Sequence, residues 1–290
     1  MTQIAVLTPD PADKTYVGRW PQVLERLKAT LESTGATVTA MPWTGHVEDV
    51  SGLKAYDLIL PVIAWGYHRD HGRWLKACST WTEAGLPVAN PAEVLRWNSD
   101  KAYLARLADK GVPIPPTRWT DRVTPDQVDA AFAETGAPVL IVKPTVSAGA
   151  FRTLRLAPGE VLSDAPEGAA MIQPYLKSIE TQGETSLLFF GGRFSHAVNK
   201  RPVAGDFRIQ VQFGGLYTAV TPDAAAMALA EQVLAAIDEP LLYARIDMAR
   251  DDAGRWVLME AELIEPDFYL DHDPANGAGF ADAVKARLEA

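Results

Sequence analysis

Tyr243 to Pro266 reads YARIDMARDDAGRWVLMEAELIEP, and it puts three acids where a strand is expected to hold apolar side chains. Two alternating runs, Ala244-Ile246-Met248 and Val257-Met259-Ala261-Leu263, flank the turn-rich segment from Arg250 to Gly254, which predicts a β-hairpin with one apolar face. The other face carries Asp247, Glu260 and Glu262. With the turn centred on Asp252 and Ala253, Asp247 lies across from Leu258 and diagonal to Glu260, while Glu260 and Glu262 share a face through the two-residue strand period. Two like charges about 4 Å apart repel by roughly 4 kcal/mol at an effective dielectric near 20, so a cation is expected among them. Oxygen ligands without His or Cys suit Mg²⁺ or Mn²⁺. The competing reading is an exposed hairpin face with solvated acids.

The rest of the chain has to supply a body for that hairpin. Its 290 residues, 48% of them hydrophobic, suffice for two or three compact units. The longest apolar runs, such as residues 137–142, fall far short of a membrane span, and the N-terminus Met1-Thr-Gln-Ile lacks the basic and apolar regions of a signal peptide, so a cytoplasmic setting is expected. Cys78 is the single cysteine, which excludes an intrachain disulfide and a cysteine-rich zinc site and reads as a buried small hydrophobe. A net charge of -10 argues against a nucleic-acid surface. The expected partner is a small molecule; a homodimer stays open.

Residues 3 to about 92 alternate continuous apolar strands (4–7, 37–41, 57–62, 87–89) with helices (20–33 and 70–84), the pattern of a parallel sheet covered on both faces. Ligands of such sheets bind at the carboxyl ends of the strands. Those ends are residues 8–10, with the loop through Tyr16 and Arg19, and residues 64–69, which include Tyr67, His68 and Arg69. Arg19, Tyr67, His68 and Arg69 are the candidate contacts for a small substrate with charged ends. Ordinary surface loops are the alternative.

Beyond Pro91 the texture changes. Asn98-Ser-Asp100 offers capping side chains for a helix over 101–110 ended by Gly111, in which Lys101, taken alone, reads as a surface lysine. An extended link (112–117) and an amphipathic helix (124–135) precede a buried strand (138–142) that delivers Lys143. The small-residue loop after it, with Ser147 and Gly149, lets backbone N–H groups approach phosphate oxygens closely, although it is not a Walker A sequence. Strands are further expected at 153–156, 169–173, 184–190, 193–198 and 207–212, and helices at 222–237 and 275–288.

In this order the segments resemble the ATP-grasp superfamily, nearest to its glutathione synthetase and ribosomal S6-modifying ligase branch. The likeness rests on Asn98-Ser-Asp-Lys101, Val139-Leu-Ile-Val-Lys-Pro144, Ile172-Gln-Pro-Tyr-Leu176, Gly205-Asp-Phe-Arg208 with Gly214-Gly215, and Asp247 with Glu260-x-Glu262, spanning residues 93 to 266. Within that branch the narrower likeness is to the cyclo-ligase type that closes D-cycloserine from O-ureido-D-serine. The resemblance implies an α/β and α+β architecture: a Rossmann-like N-terminal domain (1–92) and two α+β subdomains (93–177 and 178–290) that clamp ATP.

The resemblance also implies roles. Lys101 and Lys143 resemble the lysines that contact ATP phosphates, with Ser147 and Gly149 in the phosphate loop. Gln173, Tyr175 and Leu176 resemble the hinge that reads adenine, and Glu180 or Glu184 the acid that binds ribose. Arg208 looks like the arginine that neutralises the transferring phosphoryl group, with Lys200 as its companion, and Asp247, Glu260 and Glu262 like the metal ligands. Two departures stand out: Glu262 occupies a position often held by Asn, and Leu263-Ile-Glu-Pro-Asp267 replaces the usual small-residue signature, so a different substrate-facing edge is expected. The implied chemistry is phosphorylation of a carboxylate by ATP and attack of an amine on the acyl phosphate, within one molecule or between two. The scattered histidines form no triad. A non-catalytic nucleotide-binding regulator would not need Arg208 and all three acids, and a periplasmic-type binding module would leave the acidic hairpin unexplained.

Overall fold

The computed structural model describes residues 2–16, 18–203, 208–209 and 213–290, and among them the strands form three sheets. The first uses β1 (Gln3–Thr8), β2 (Thr37–Pro42) and β3 (Leu58–Leu60) in the order β2-β1-β3, all parallel, with α1 (Trp20–Glu32) and α2 (His71–Glu83) between and after them. Ile4 to Leu7 are fully buried, as a strand covered on both faces must be. The predicted strand at 87–89 is reduced to a single parallel bridge between Ile59 and Val88. Cys78 sits in this core beside Trp74 and Trp81, and burial pushes its thiol far above the ordinary range.

Next come α3 (Ala92–Asn98) and α4 (Tyr103–Asp109), then β4 (Arg118–Thr120), α5 (Pro125–Thr135), β5 (Leu140–Pro144), β6 (Leu154–Leu156) and β7 (Ala170–Pro174). These four strands make an antiparallel sheet in the order β4-β7-β5-β6. As predicted, α5 starts where the Thr124 hydroxyl accepts from the Gln127 amide and stops at Gly136, whose φ of 62° favours glycine. The α4 expectation needs correction. The helix begins at Tyr103, so Lys101 lies just ahead of it, and Asn98 does not cap it; Asp100 accepts from the Ala102 amide instead.

The third sheet is antiparallel, in the order β10-β9-β8-β11-β12. It contains β8 (Glu184–Phe190) after the single-turn α6 (Ser178–Thr181), then β9 (Arg193–Arg201), β10 (Leu216–Val220), β11 (Tyr243–Arg250) and β12 (Trp256–Glu262). Helices α7 (Ala224–Ile237) and α8 (Ala278–Glu289) cover it; Ala230 and Val233 of α7 pack on Ile246, and Phe280 of α8 packs on Phe190. The β10 strand was not anticipated: it is a largely exposed edge with no apolar alternation to signal it. The strand expected at 207–212 lies mostly outside the described residues.

The central hairpin forms, with a register the alternation did not predict. The Asp251 amide donates to Arg255 O and Gly254 has φ 76°, so the loop holds three residues rather than two, and a bulge between Asp247 and Met248 adds one more on the β12 side. Asp247 therefore faces Glu260 directly, and Met248 faces Leu258. The same bulge breaks the expected apolar stripe. Leu258, Ala261 and Leu263 enter the main core with Ile246, whereas Val257 and Met259 turn to the acidic face beside Leu176 and Ile179.

As an edge strand, β12 would expose unpaired backbone groups. Side chains of the preceding helices cover them. Asn98 donates to Ala261 O at 2.9 Å and accepts from the Leu263 amide at 3.0 Å, and the Tyr103 hydroxyl bonds both the amide and the carbonyl of Ala261. Asn90 bonds Tyr243 O and Leu263 O. Glu260 and Glu262 thus stand on a strand fixed from both sides. No helix among the described residues is long and apolar enough to cross a membrane.

Candidate active site

The second and third sheets and the strand-end loops of the first enclose a cavity of about 760 Å³, inside the span of roughly 300–1,000 Å³ usual for small-molecule sites. Its floor is the face of β8, β9, β11 and β12 that carries charge. Asp247 is buried among four donors: Arg245 through Nε at 3.0 Å and Nη2 at 2.9 Å, Lys200 at 3.2 Å and the Ser186 hydroxyl at 2.5 Å. Burial would raise its carboxyl, but Arg245 and Lys200 outweigh that and hold it well below the usual carboxylate range. Lys200 also meets Glu184 at 2.7 Å. Burial works against its charge, yet Asp247 and Glu184 keep the ammonium protonated far above its ordinary range.

Arg245, which the sequence reading did not single out, joins Asp247 to Glu262. It was detectable: it stands two residues before Asp247 and so shares its face. Asp247 takes the larger part of its charge. Glu262, pressed by burial and by the neighbouring Glu260 and Asp247, is held well above the carboxylate range. The solvated-acid alternative for the hairpin is excluded, because each of the three acids is bonded to a cation of the chain.

The opposite wall comes from the four-stranded sheet. Lys143, at the end of β5, lines the cavity, and burial lowers its ammonium despite the attraction of Glu260. Lys101 is buried, not on the surface: its Nζ donates to Ser147 O at 2.7 Å and meets Glu260 at 3.1 Å. It thereby ties the small-residue loop to the hairpin. In that loop Gly149 and Ala150 have φ of 61° and 62° and, with Ser147, border the cavity. Such left-handed backbone in a small-residue loop turns amides toward an anion. At the hinge Gln173 donates to the Thr117 hydroxyl at 2.9 Å, the Tyr175 amide donates to Val139 O at 2.9 Å, and Tyr175 and Leu176 line the cavity. Of the two ribose candidates, Glu184 borders the cavity and Glu180 is an exposed residue of α6 outside it. Arg208 reaches the cavity with its guanidinium 3.7 Å from the Phe213 ring centroid; its neighbours 205–207 lie outside the described residues.

The roof brings together the four residues expected to meet a small substrate, Arg19, Tyr67, His68 and Arg69. Arg69 is paired with Asp13 and stacks over Tyr16 at 4.9 Å, and Arg19 stacks over Trp65 at 5.5 Å. His68 Nδ1 is buried without a hydrogen-bond partner among the described residues; burial, Arg69 and Lys101 lower its imidazolium to about 4. Glu265, in the 263–267 segment but not singled out there, also lines the cavity. Burial and the charge of Glu260 raise its carboxyl to about 8.

Whether these residues fit a metal can be judged from the donors. Glu260 and Glu262 present carboxylates to the cavity with side chains 31% and 28% exposed, which suits the one or two carboxylates that hold Mg²⁺ beside substrate phosphates. Asp247 has its oxygens engaged by four donors and joins them only by releasing one. Among the described residues no group of three or more acids, histidines or cysteines is arranged to hold a metal.

No protein-family model matches the chain. It is 29% identical over 288 residues, 93% of each sequence, to the cycloserine biosynthesis protein DcsG of Streptomyces lavendulae. It is 28% identical over 215 residues to glutathione synthetase of Prochlorococcus marinus (strain MIT 9313), covering 71% of this chain and 65% of that enzyme. Among solved structures it matches the D-cycloserine synthetase DcsG with a TM-score of 0.81 and 26% identity over 99% of both chains. It shares its fold with the ATP-grasp ligase PsnB in complex with a phosphomimetic precursor variant, Mg and ADP, at a TM-score of 0.68 and 16% identity over 99% of this chain and 98% of that one. These likenesses and the order of motifs along the sequence lead to one conclusion: the chain resembles the ATP-grasp ligases along its length, has their fold and is an ATP-dependent carbon–nitrogen ligase.

Proposed function

We propose that this ligase activates the carboxylate of a small amino acid and closes it onto a nitrogen of the same molecule, as in the formation of D-cycloserine from O-ureido-D-serine. The observation that carries this reading is the convergence of Lys101, Lys143, Lys200, Arg208 and Arg245 with Glu260 and Glu262 around one cavity whose far wall holds the candidate substrate residues. The full-length likeness to a cycloserine-forming enzyme supports the cyclising form. We further propose the division of the chain into units 1–92, 93–177 and 178–290, and a cytoplasmic setting.

In this reading Tyr175, Leu176 and the neighbouring backbone hold the base, Glu184 the ribose, and Lys101, Lys143 and the loop at Ser147 to Gly149 the phosphates. Bound between Glu260, Glu262 and the phosphates, Mg²⁺, or Mn²⁺ in its place, would neutralise charge that builds on the transferring group. A substrate carboxylate oxygen attacks the γ-phosphorus and ADP leaves. Arg208 and Arg245 face the added charge, a stabilisation that grows toward the transition state. The substrate nitrogen then attacks the acyl carbon and phosphate departs. Positioning does most of the work, so no covalent nucleophile is required. His68, held neutral, lines the cavity from the substrate-side loop and is a candidate proton acceptor.

The test is ADP and phosphate release against a panel of D- and L-amino acids with terminal amine, ureido or aminooxy groups, with product masses read in parallel. A cyclic product from one substrate supports the reading. A product joining two molecules would replace it with an intermolecular ligase.

A further inference from the structure

Among the acids of the cavity, Glu265 and Asp267 form no ion pair among the described residues, but Asp267 is exposed and accepts from the Tyr269 amide, whereas Glu265 is half-buried. Glu184, Asp247, Glu260 and Glu262 are each ion-paired with a lysine or arginine of the chain. The two cations that act on Glu265 are already engaged, Lys101 by Ser147 and Glu260 and Arg245 by Asp247 and Glu262. Its backbone is anchored. Ile264 is buried in the core of the first sheet, its carbonyl accepts from the Tyr243 hydroxyl at 2.8 Å, and Pro266 follows. The carboxylate therefore stands on an anchored segment directly after the hairpin and lines the same cavity as Tyr16 and Tyr67.

An acid held in a cavity without a cation is unfavourable unless a positive ligand completes it. We propose that Glu265 receives the ammonium group of the substrate amino acid and so decides which end of the molecule faces the nucleotide. The lining of the cavity agrees with this: Arg208, Arg245 and the lysines offer cations to a substrate carboxylate, Arg69 is already paired with Asp13, and Glu265 is an acid left for an ammonium. This assignment rests on the ligase reading above and adds the chemical class of the substrate to it: an amino acid with its amine free and charged.

The experiment compares the best amino-acid substrate of the panel with its deamino analogue in the native enzyme, E265Q and E265D, all checked for cooperative melting. The readout is the ratio of kcat/KM for the two compounds, with KM for ATP and the Mg²⁺ dependence measured alongside. The inference predicts that the native enzyme prefers the amine, that E265Q cuts this preference tenfold or more, that E265D retains part of it, and that the ATP and Mg²⁺ dependences stay within twofold. An undiminished preference in E265Q overturns the assignment alone; should E265Q not fold, an undiminished preference in E265D does so. A displaced Mg²⁺ dependence overturns it in favour of a metal-ligand role. Absence of turnover by the native enzyme on every amino acid removes the substrate class and this assignment together.

Discussion

Replacing Lys200 with methionine probes the buried charge network on which the cavity floor rests. Its side chain is 4% exposed, and its ammonium lies 2.7 Å from Glu184 and 3.2 Å from Asp247. At an effective dielectric near 20 those separations correspond to about 6 and 5 kcal/mol of attraction. Most of this is offset by the several kcal/mol needed to desolvate each ion. Methionine keeps the length of the side chain and removes the charge. Asp247 retains Arg245 and Ser186, whereas Glu184 is left buried without a cation. The expected loss is about 3 kcal/mol at pH 8, at the lower end of what breaking a buried pair costs because only one acid is orphaned. Burial already raises the Glu184 carboxyl, and without Lys200 it rises further. In the variant this acid keeps a proton in the folded state at pH values where the unfolded chain has lost it. Stability of the variant relative to the native protein should therefore fall as pH rises through the raised value and recover toward pH 5. Urea unfolding at pH 5, 6.5 and 8 measures both. A loss under 1 kcal/mol, or one independent of pH, would refute the assignment of Lys200 as the cation that keeps Glu184 ionised.

The remaining predictions concern the other walls. Lys143→Ala should weaken ATP binding in calorimetry, whereas Arg208→Ala should mainly lower kcat, tenfold or more, because only the latter is assigned to the transferring phosphoryl group; an equal loss of nucleotide affinity in both would contradict that division. Glu260→Gln should stay folded, with some loss of stability because buried Lys101 loses its carboxylate partner, and should lose Mg²⁺-dependent turnover, since the carboxamide keeps the shape and removes the charged ligand; normal turnover would exclude Glu260 from the metal site. His68, lowered to about 4 in the fold against an ordinary value near 6.5, contributes stability that is present above that ordinary value and is lost as pH falls toward 4. His68→Gln should accordingly flatten the acid limb of the stability profile, and an unchanged limb would show that the imidazole is not held neutral.

The parts of the fold that were legible in the sequence are those where one local signal suffices. Ile4 to Leu7 is apolar throughout because both faces of the strand are covered, and α5 carries its cap at Thr124 and its stop at Gly136. The acids of the hairpin could be read as a set because the two-residue period needs only the chain itself. The register could not. One bulge between Asp247 and Met248 and one extra loop residue, neither marked by composition, moved Glu260 opposite Asp247 and turned Met259 toward the cavity. Asn98 looked like a helix cap because Asn caps helices; its partner, the exposed edge of β12, is 163 residues away and invisible to local reasoning. Lys101 was similarly misleading alone, since its burial comes from Ser147 and Glu260. Arg245 was available from its spacing to Asp247. Glu265 was not, because its meaning lies in the absence of a partner, which only the packed structure reveals.

The central claim is that the carboxylate is activated by phosphorylation. The direct measurement uses a substrate whose carboxylate oxygens are both ¹⁸O, with the released phosphate analysed by mass spectrometry alongside ADP. The account predicts one heavy oxygen in each phosphate, one ADP per turnover, and a product that retains the other heavy oxygen. Product formation with unlabelled phosphate would contradict it.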